Sequence, residues 1–205
     1  MLMPRNSLNR RAVLLALPAG LLLPRGALAA DFIGAAADVR GTVVARQSAG
    51  TRNLLTGAGL LLKDTVETHA QSFARLDLAG RTTVHLGSRA RLFIDRFVAE
   101  AGGVLELGDG AMLFDRADDL PKIDLTIRSR FGRIAVRGTQ FFAGPSKGVF
   151  GVFVARGAVT VEAAGVSRQL GAGQGVDIRA VGQPPGEVKA WGKPRIAEAL
   201  ANAGL

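Results

Sequence analysis

Apolar and polar residues alternate along most of this chain with a period of two. Ile123, Leu125 and Ile127 fall on one side of an extended segment, while Asp124, Thr126 and Arg128 fall on the other. Ala74, Leu76 and Leu78 alternate in the same way with Phe73, Arg75 and Asp77. Ala90, Leu92 and Ile94 repeat the pattern, as do Ile134 with Val136 and Val159 with Val161. That period belongs to strands with one dry face. The runs recur at roughly 8 to 12 residue spacing with glycines between them, which indicates an all-β sandwich, barrel or short solenoid. The predicted fold class is therefore all-β: a single domain of many short antiparallel strands. Before Val39 the segment from Asp31 to Ala37 is small and apolar without a clear period, and reads as a lead-in rather than a strand.

Both ends depart from the alternation. The first 29 residues hold Arg5, Arg10, Arg11 and Arg25, no acid, and an apolar run from Ala12 to Leu23. Such a run is shorter than the roughly 20 residues a membrane-crossing helix needs, and Ala27-Leu28-Ala29 supplies a small-x-small cleavage site. Residues 1–29 are expected to be a cleaved export signal, with the mature chain beginning at Ala30 and no stable membrane span after cleavage. Asn9-Arg10-Arg11-Ala12-Val13-Leu14-Leu15 resembles a twin-arginine signal, so periplasmic or exported localisation by that route is the expectation. At the other end, Gln183-Pro184-Pro185-Gly186 interrupts the last strand. Pro194 to Ala201 then reads as a short helix with proline in its first turn. Ile196 and Leu200 share a face of it, available with Trp191 for docking. The expected division is thus residues 1–29, a β domain over 30–182, and a linker with a short C-terminal helix over 183–205.

Composition narrows the function. Removing four arginines and no acids with the signal takes the formal charge from +9 to +5. The remaining charges are interspersed, with no basic stripe and no aromatic platform of the kind that binds nucleic acid. The chain has no cysteine, so neither disulfides nor thiolate metal sites contribute.

A search for chemistry finds no catalytic constellation. The two histidines, His69 and His85, lie 16 positions apart, with His85 on the outward parity of its strand, and a transition-metal site would want three or four ligands. Asp115, Asp118 and Asp119 read as solvated loop acids, since the alternating carboxylates of a calcium loop are missing. Glu67, Asp77, Asp95 and Glu106 are the carboxylates that could converge as a glycosidase pair, but nothing selects any two of them. Gly171-Ala172-Gly173-Gln174-Gly175 is followed by an alternating strand, not by the helix a phosphate loop requires, and reads as a turn. The expectation is a non-enzyme with no cofactor and no metal.

One motif carries more. Ile134-Ala135-Val136-Arg137-Gly138-Thr139-Gln140-Phe141 runs a strand into Arg-Gly-Thr-x-Phe. Thr65-Val66-Glu67-Thr68, Ser72 to Leu76, Gly80 to Leu92, Gly157 to Val161 and Leu170 to Gln174 accompany it in order. Together these segments, over roughly residues 36 to 182, resemble the FecR-type domain, an exported β module of iron-uptake signalling. The resemblance implies a non-catalytic binding or signalling-accessory module that acts through another envelope or periplasmic protein. A domain that binds glycan or cell-wall polymer is the alternative. Within the motif, Gly138, Thr139 and Phe141, with Gly157 and Gly173, are expected to be structural. A side chain at Gly138 should clash with a neighbouring backbone or oppose a positive φ. Arg137 is the candidate partner contact, because an arginine beside an irregular strand can grip a carboxylate or carbonyl with two hydrogen bonds.

Overall fold

A computed structural model describes residues 32–79, 81–98, 101–117 and 119–205, with the Arg137 side chain left out. The expected export signal at 1–29, the turn glycine Gly80 and the acid Asp118 lie outside the described residues.

In chain order the strands are β1 (Phe32–Arg40), β2 (Val43–Gln47), β3 (Gly50–Asn53), β4 (Gly59–Leu61), β5 (Thr65–Thr68), β6 (Phe73–Leu78), β7 (Thr82–Leu86) and β8 (Arg91–Val98). There follow β9 (Gly102–Leu107), β10 (Met112–Arg116), β11 (Asp124–Ser129), β12 (Gly132–Ser146), β13 (Val149–Ala163), β14 (Val166–Gly171), β15 (Gln174–Ile178) and β16 (Lys189–Ala190), and then helix α1 (Lys193–Asn202). The segment expected to be a lead-in is the nine-residue strand β1, paired with β4 and β6. Its period is hidden because the register slips between Ala36 and Asp38, and such a bulge shifts the alternation by one.

All the strands belong to one hydrogen-bonded sheet, ordered β3-β2-β5-β8-β9-β11-β12-β10-β7-β6-β1-β4, with β13 joining β12 to β14 and β15. The pairs are antiparallel except β9 with β11, which run parallel. Parallel neighbours need a crossover. Here β10 supplies it by leaving to pair with β7 and β12. A single core draws on strands all along that path, including Leu60, Leu76, Val84, Ile94, Leu105, Phe114, Ile127, Val136, Phe141 and Val154. The sheet stays open, but its two end strands meet through side chains. Arg52 of β3 donates to the Gly59 carbonyl oxygen of β4 and grips the fully buried Asp64 through both carboxylate oxygens at 2.8 and 2.5 Å. The Leu61 amide donates to the same carboxylate at 2.9 Å. This carboxylate raises the Arg52 pKa above its ordinary value, against the opposing effect of burial.

A second, smaller apolar cluster lies on the opposite face of β10, β12 and β13, where Leu113, Phe142 and Phe153 are covered by Trp191, Ala199 and Ala203, with Ile196 and Leu200 packed beside them. Trp191 stacks on Phe153 with ring centroids 5.2 Å apart. Arg195 lies 3.6 Å above the Trp191 ring while pairing with Asp177 at 2.5 Å. Pro194 lies in the first turn of α1, where its missing N–H costs nothing. Among the described residues no helix is long and apolar enough to cross a membrane.

Candidate functional site

The Arg-Gly-Thr motif sits where the two longest strands lose register. Arg137 pairs with Ala158 and Gln140 with Arg156, so Gly138 and Thr139 together oppose Gly157. Two residues against one is a β-bulge, which re-aims the side chains that follow. Gly138 has φ +50° and Gly157 φ +82°. Thr139 is fully buried and its hydroxyl donates to the Arg156 carbonyl oxygen. Phe141, past the bulge, is fully buried against Phe114, with centroids 5.5 Å apart. Gly173 lies apart from these residues, in the β14–β15 turn with φ +80°, where its amide donates to Val154. The Arg137 backbone is the last regular step of β12 before the bulge; its side chain lies outside what the structure describes.

The re-aimed residues complete a row that crosses five strands. Asp77 pairs with Thr83, Thr83 with Asp115, Asp115 with Gln140, and Gln140 with Arg156. Side chains directly opposite on one face of a sheet are close enough to interact, and here they bond in two groups, Asp77 with Thr83 and Asp115 with both Gln140 and Arg156. The Thr83 hydroxyl donates to Asp77 at 3.2 Å, the Gln140 amide to one Asp115 oxygen at 2.9 Å, and Arg156 to the other at 2.9 Å. Arg156 also donates to the Arg116 carbonyl oxygen at 2.8 Å. The Asp115 and Arg156 side chains keep 34% and 38% of their surface exposed, so the pair is ordered yet open to a partner. Asp77, Thr83, Asp115 and Arg156 line a surface cavity of about 620 Å³ together with Leu78, Arg81, Thr82 and Ala117. Beneath it Arg116, 2% exposed, donates to Thr82 at 2.9 Å and to the Pro121 carbonyl oxygen at 3.2 Å. Burial lowers the Arg116 pKa.

The row beside this one, Arg75-His85-Leu113-Phe142-Phe153, turns from polar to apolar where α1 and Trp191 cover it. His85 is half-buried, and burial, followed by the charge of Arg75, lowers its pKa.

Sequence reading missed Thr83, Gln140 and Arg156 and misplaced Asp115. Asp115 is not a loop acid but an outward residue of β10 held by an arginine and an amide. The run Leu113-Phe114-Asp115-Arg116 does not alternate, because β10 is buried on both faces there, so no period marked Asp115 as a strand residue. Asp119 pairs with Arg81 at 2.9 Å and both are exposed. The four carboxylates weighed as a glycosidase pair are each engaged by a different cation: Glu67 with Arg46, Asp95 with Lys63, Glu106 with Arg128 and Asp77 with Arg75. Among the described residues no three His, Cys, Asp or Glu side chains gather as a metal site.

Comparison with known proteins agrees with the motif. No curated protein matches the sequence. Two crystal structures of a candidate anti-sigma factor from Parabacteroides distasonis share the fold, with TM-scores of 0.54 and 17% identity over 66% of this chain. The aligned part spans 64% and 63% of those chains, less than two thirds of their length. Residues 64–160 match the family described as FecR protein, a regulatory, signalling-related family. The matched span holds β5 to β12, most of β13, the bulge and all five members of the polar row. Over residues 64–160 this chain resembles a FecR-type domain.

Proposed function

We propose that this chain is a non-catalytic signalling-accessory module that works by protein–protein contact in the periplasm or cell envelope, with the row from Asp77 to Arg156 as its contact surface. The observation that carries the reading is the hydrogen-bonded, half-exposed row itself. It is ordered before any partner arrives, so little side-chain entropy remains to be lost on binding, and its alternating acid, hydroxyl, amide and guanidinium offer both donors and acceptors. The resemblance to a FecR-type domain over the span that contains it is the second support. Arg137, at the edge of the bulge and three residues before Gln140 of this row, remains the candidate for a direct contact.

A photo-crosslinking amino acid placed at Thr83, with the protein produced in its own host, tests the surface. The expected product is one discrete protein adduct that is lost when Asp115→Ala or Arg156→Ala is added and reduced by Arg137→Ala. Crosslinks to cell-wall polymer in place of protein favour the glycan reading, and no adduct at all removes the surface.

Export is part of the same proposal, resting on Arg10, Arg11 and Arg25. Replacing Arg10 and Arg11 by lysine should leave an uncleaved cytoplasmic precursor. A double variant that matures as well as the parent chain rules out the twin-arginine route.

A further inference from the structure

A second cavity, of about 240 Å³, lies where the β9–β10 connection, the β11–β12 turn and the β12–β13 turn meet the end of β15. Its floor is apolar. Phe150 is buried and pairs with Pro145 and Ile178. Phe131, half-buried, stacks on it with centroids 4.5 Å apart and planes at 13°. Val149 and Pro145 complete that side. The rim is charged: Arg130 holds its guanidinium 5.1 Å from the Phe131 ring and pairs loosely with Asp109 at 3.7 Å. Asp109 is also shared with Arg91 at 3.2 Å. Arg179 follows directly on Ile178 and lines the same cavity, exposed and with no ion pair among the described residues.

Two properties select the ligand. The volume equals that of about eight water molecules in the liquid and falls below the roughly 300–1,000 Å³ of pockets that take drug-sized ligands or cofactors. A single amino-acid-sized group fits it. The charge is complementary to one anion, because Asp109 is already shared by Arg91 and Arg130 while Arg179 has no carboxylate of its own. We infer that this cavity captures the C-terminal residue of a polypeptide that ends in a large apolar side chain, the side chain on Phe131 and Phe150 and the terminal carboxylate on Arg179, with Arg130 beside it. A guanidinium suits this task, since it can engage both carboxylate oxygens in its plane. The exposed mouth at Gly148 and Arg179 lets the rest of such a chain run out into solvent. This site is separate from the polar row and can fail without it.

Fluorescence anisotropy with a labelled pentapeptide, Gly-Ser-Gly-Leu-Phe, tests the inference on the chain with residues 1–29 removed as expected of the exported form. Saturable binding is expected for the free carboxylate, and at least ~10-fold weaker binding for the C-terminal amide, as the loss of a charge-assisted pair implies. Arg179→Gln should reduce binding of the acid to the level of the amide without changing thermal stability, because the residue is exposed and unpaired. Asp115→Ala should leave binding as it was. Equal binding of acid and amide, an unaffected Arg179→Gln, binding of N-acetylphenylalanine without binding of the peptide, or no saturation at millimolar peptide would each overturn it.

Discussion

Gly157 faces Gly138 across the β12–β13 bulge so closely that a β-carbon on Gly157 would stand 2.5 Å from the Gly138 carbonyl oxygen and 2.9 Å from the Thr139 β-carbon. Gly138 is different: the nearest atom to an added β-carbon there is the Lys122 side chain at 3.7 Å. Both glycines have positive φ, but only Gly157 is also held against a neighbouring backbone. The close approach therefore belongs to Gly157, not to Gly138, where the strand-to-motif transition in the sequence suggests it. Gly138→Ala should cost about 1 kcal/mol, the penalty of left-handed backbone. Gly157→Ala adds overpacking and should cost roughly 3 kcal/mol. Thermal and urea denaturation of the two variants should rank them in that order, and the reverse order would show that the bulge relaxes around Gly157.

Asp64 should be among the most sensitive polar positions. Its carboxylate is fully buried and bound by Arg52 and the Leu61 amide, and it ties the end strand β3 to the turn between β4 and β5. Asp64→Ala leaves the Arg52 charge and the amide without their acceptor. A loss of about 3 kcal/mol is expected, because Arg52 keeps some access to water and the penalty is smaller than for a fully buried pair. Chemical denaturation measures it; a change under about 1 kcal/mol would mean that water replaces the carboxylate.

His85 gives stability a defined pH dependence. Its folded pKa lies below the ordinary histidine value because the site is partly desolvated and faces Arg75, against smaller opposing effects of Asp115 and Asp77. Between the folded pKa and the unfolded value near 6.5 the unfolded chain binds more protons, so stability present above about pH 6.5 declines as pH falls through that window. His85→Gln should flatten the curve there while leaving stability at pH 8 nearly unchanged. A parent chain as stable at pH 5.5 as at pH 7.5 would contradict this account.

Trp191 should act as a clasp. It is 8% exposed and carries Arg195 on its outer face. Trp191→Ala should cost about 3–5 kcal/mol, as for other buried aromatic truncations, and should expose Leu113, Phe142 and Phe153 to a hydrophobic dye. Unchanged dye binding would show that α1 stays docked without the indole.

The one-sided strands were legible in the sequence because their period is clean. Leu76 and Leu78 point inward and Arg75 and Asp77 outward in the structure as in the pattern. Strands buried on both faces carry no such alternation: Phe141 and Phe142 are adjacent and both fully buried, one in the main core and one under α1. The polar row was harder still. Its five members come from five strands that are not all consecutive in the chain, since β8, β9 and β11 intervene, and the last step from Gln140 to Arg156 crosses a bulge that moves the register. Alternation along each strand shows which side chains point outward. It does not show which strands are neighbours, and a site built across strands depends on that.

Residues 191–203 are synthesised after every strand they cover. Until they emerge, β10, β12 and β13 hold Leu113, Phe142 and Phe153 bare on the outer face of a sheet that is otherwise complete, and a nascent or truncated chain in that state resembles an aggregation-prone intermediate. Under the proposed export this would set an order of events: a chain that crosses the membrane folded carries its clasp already closed, whereas one threaded across unfolded has to close it on the far side, where holding chaperones and proteases compete for the same bare aromatic surface.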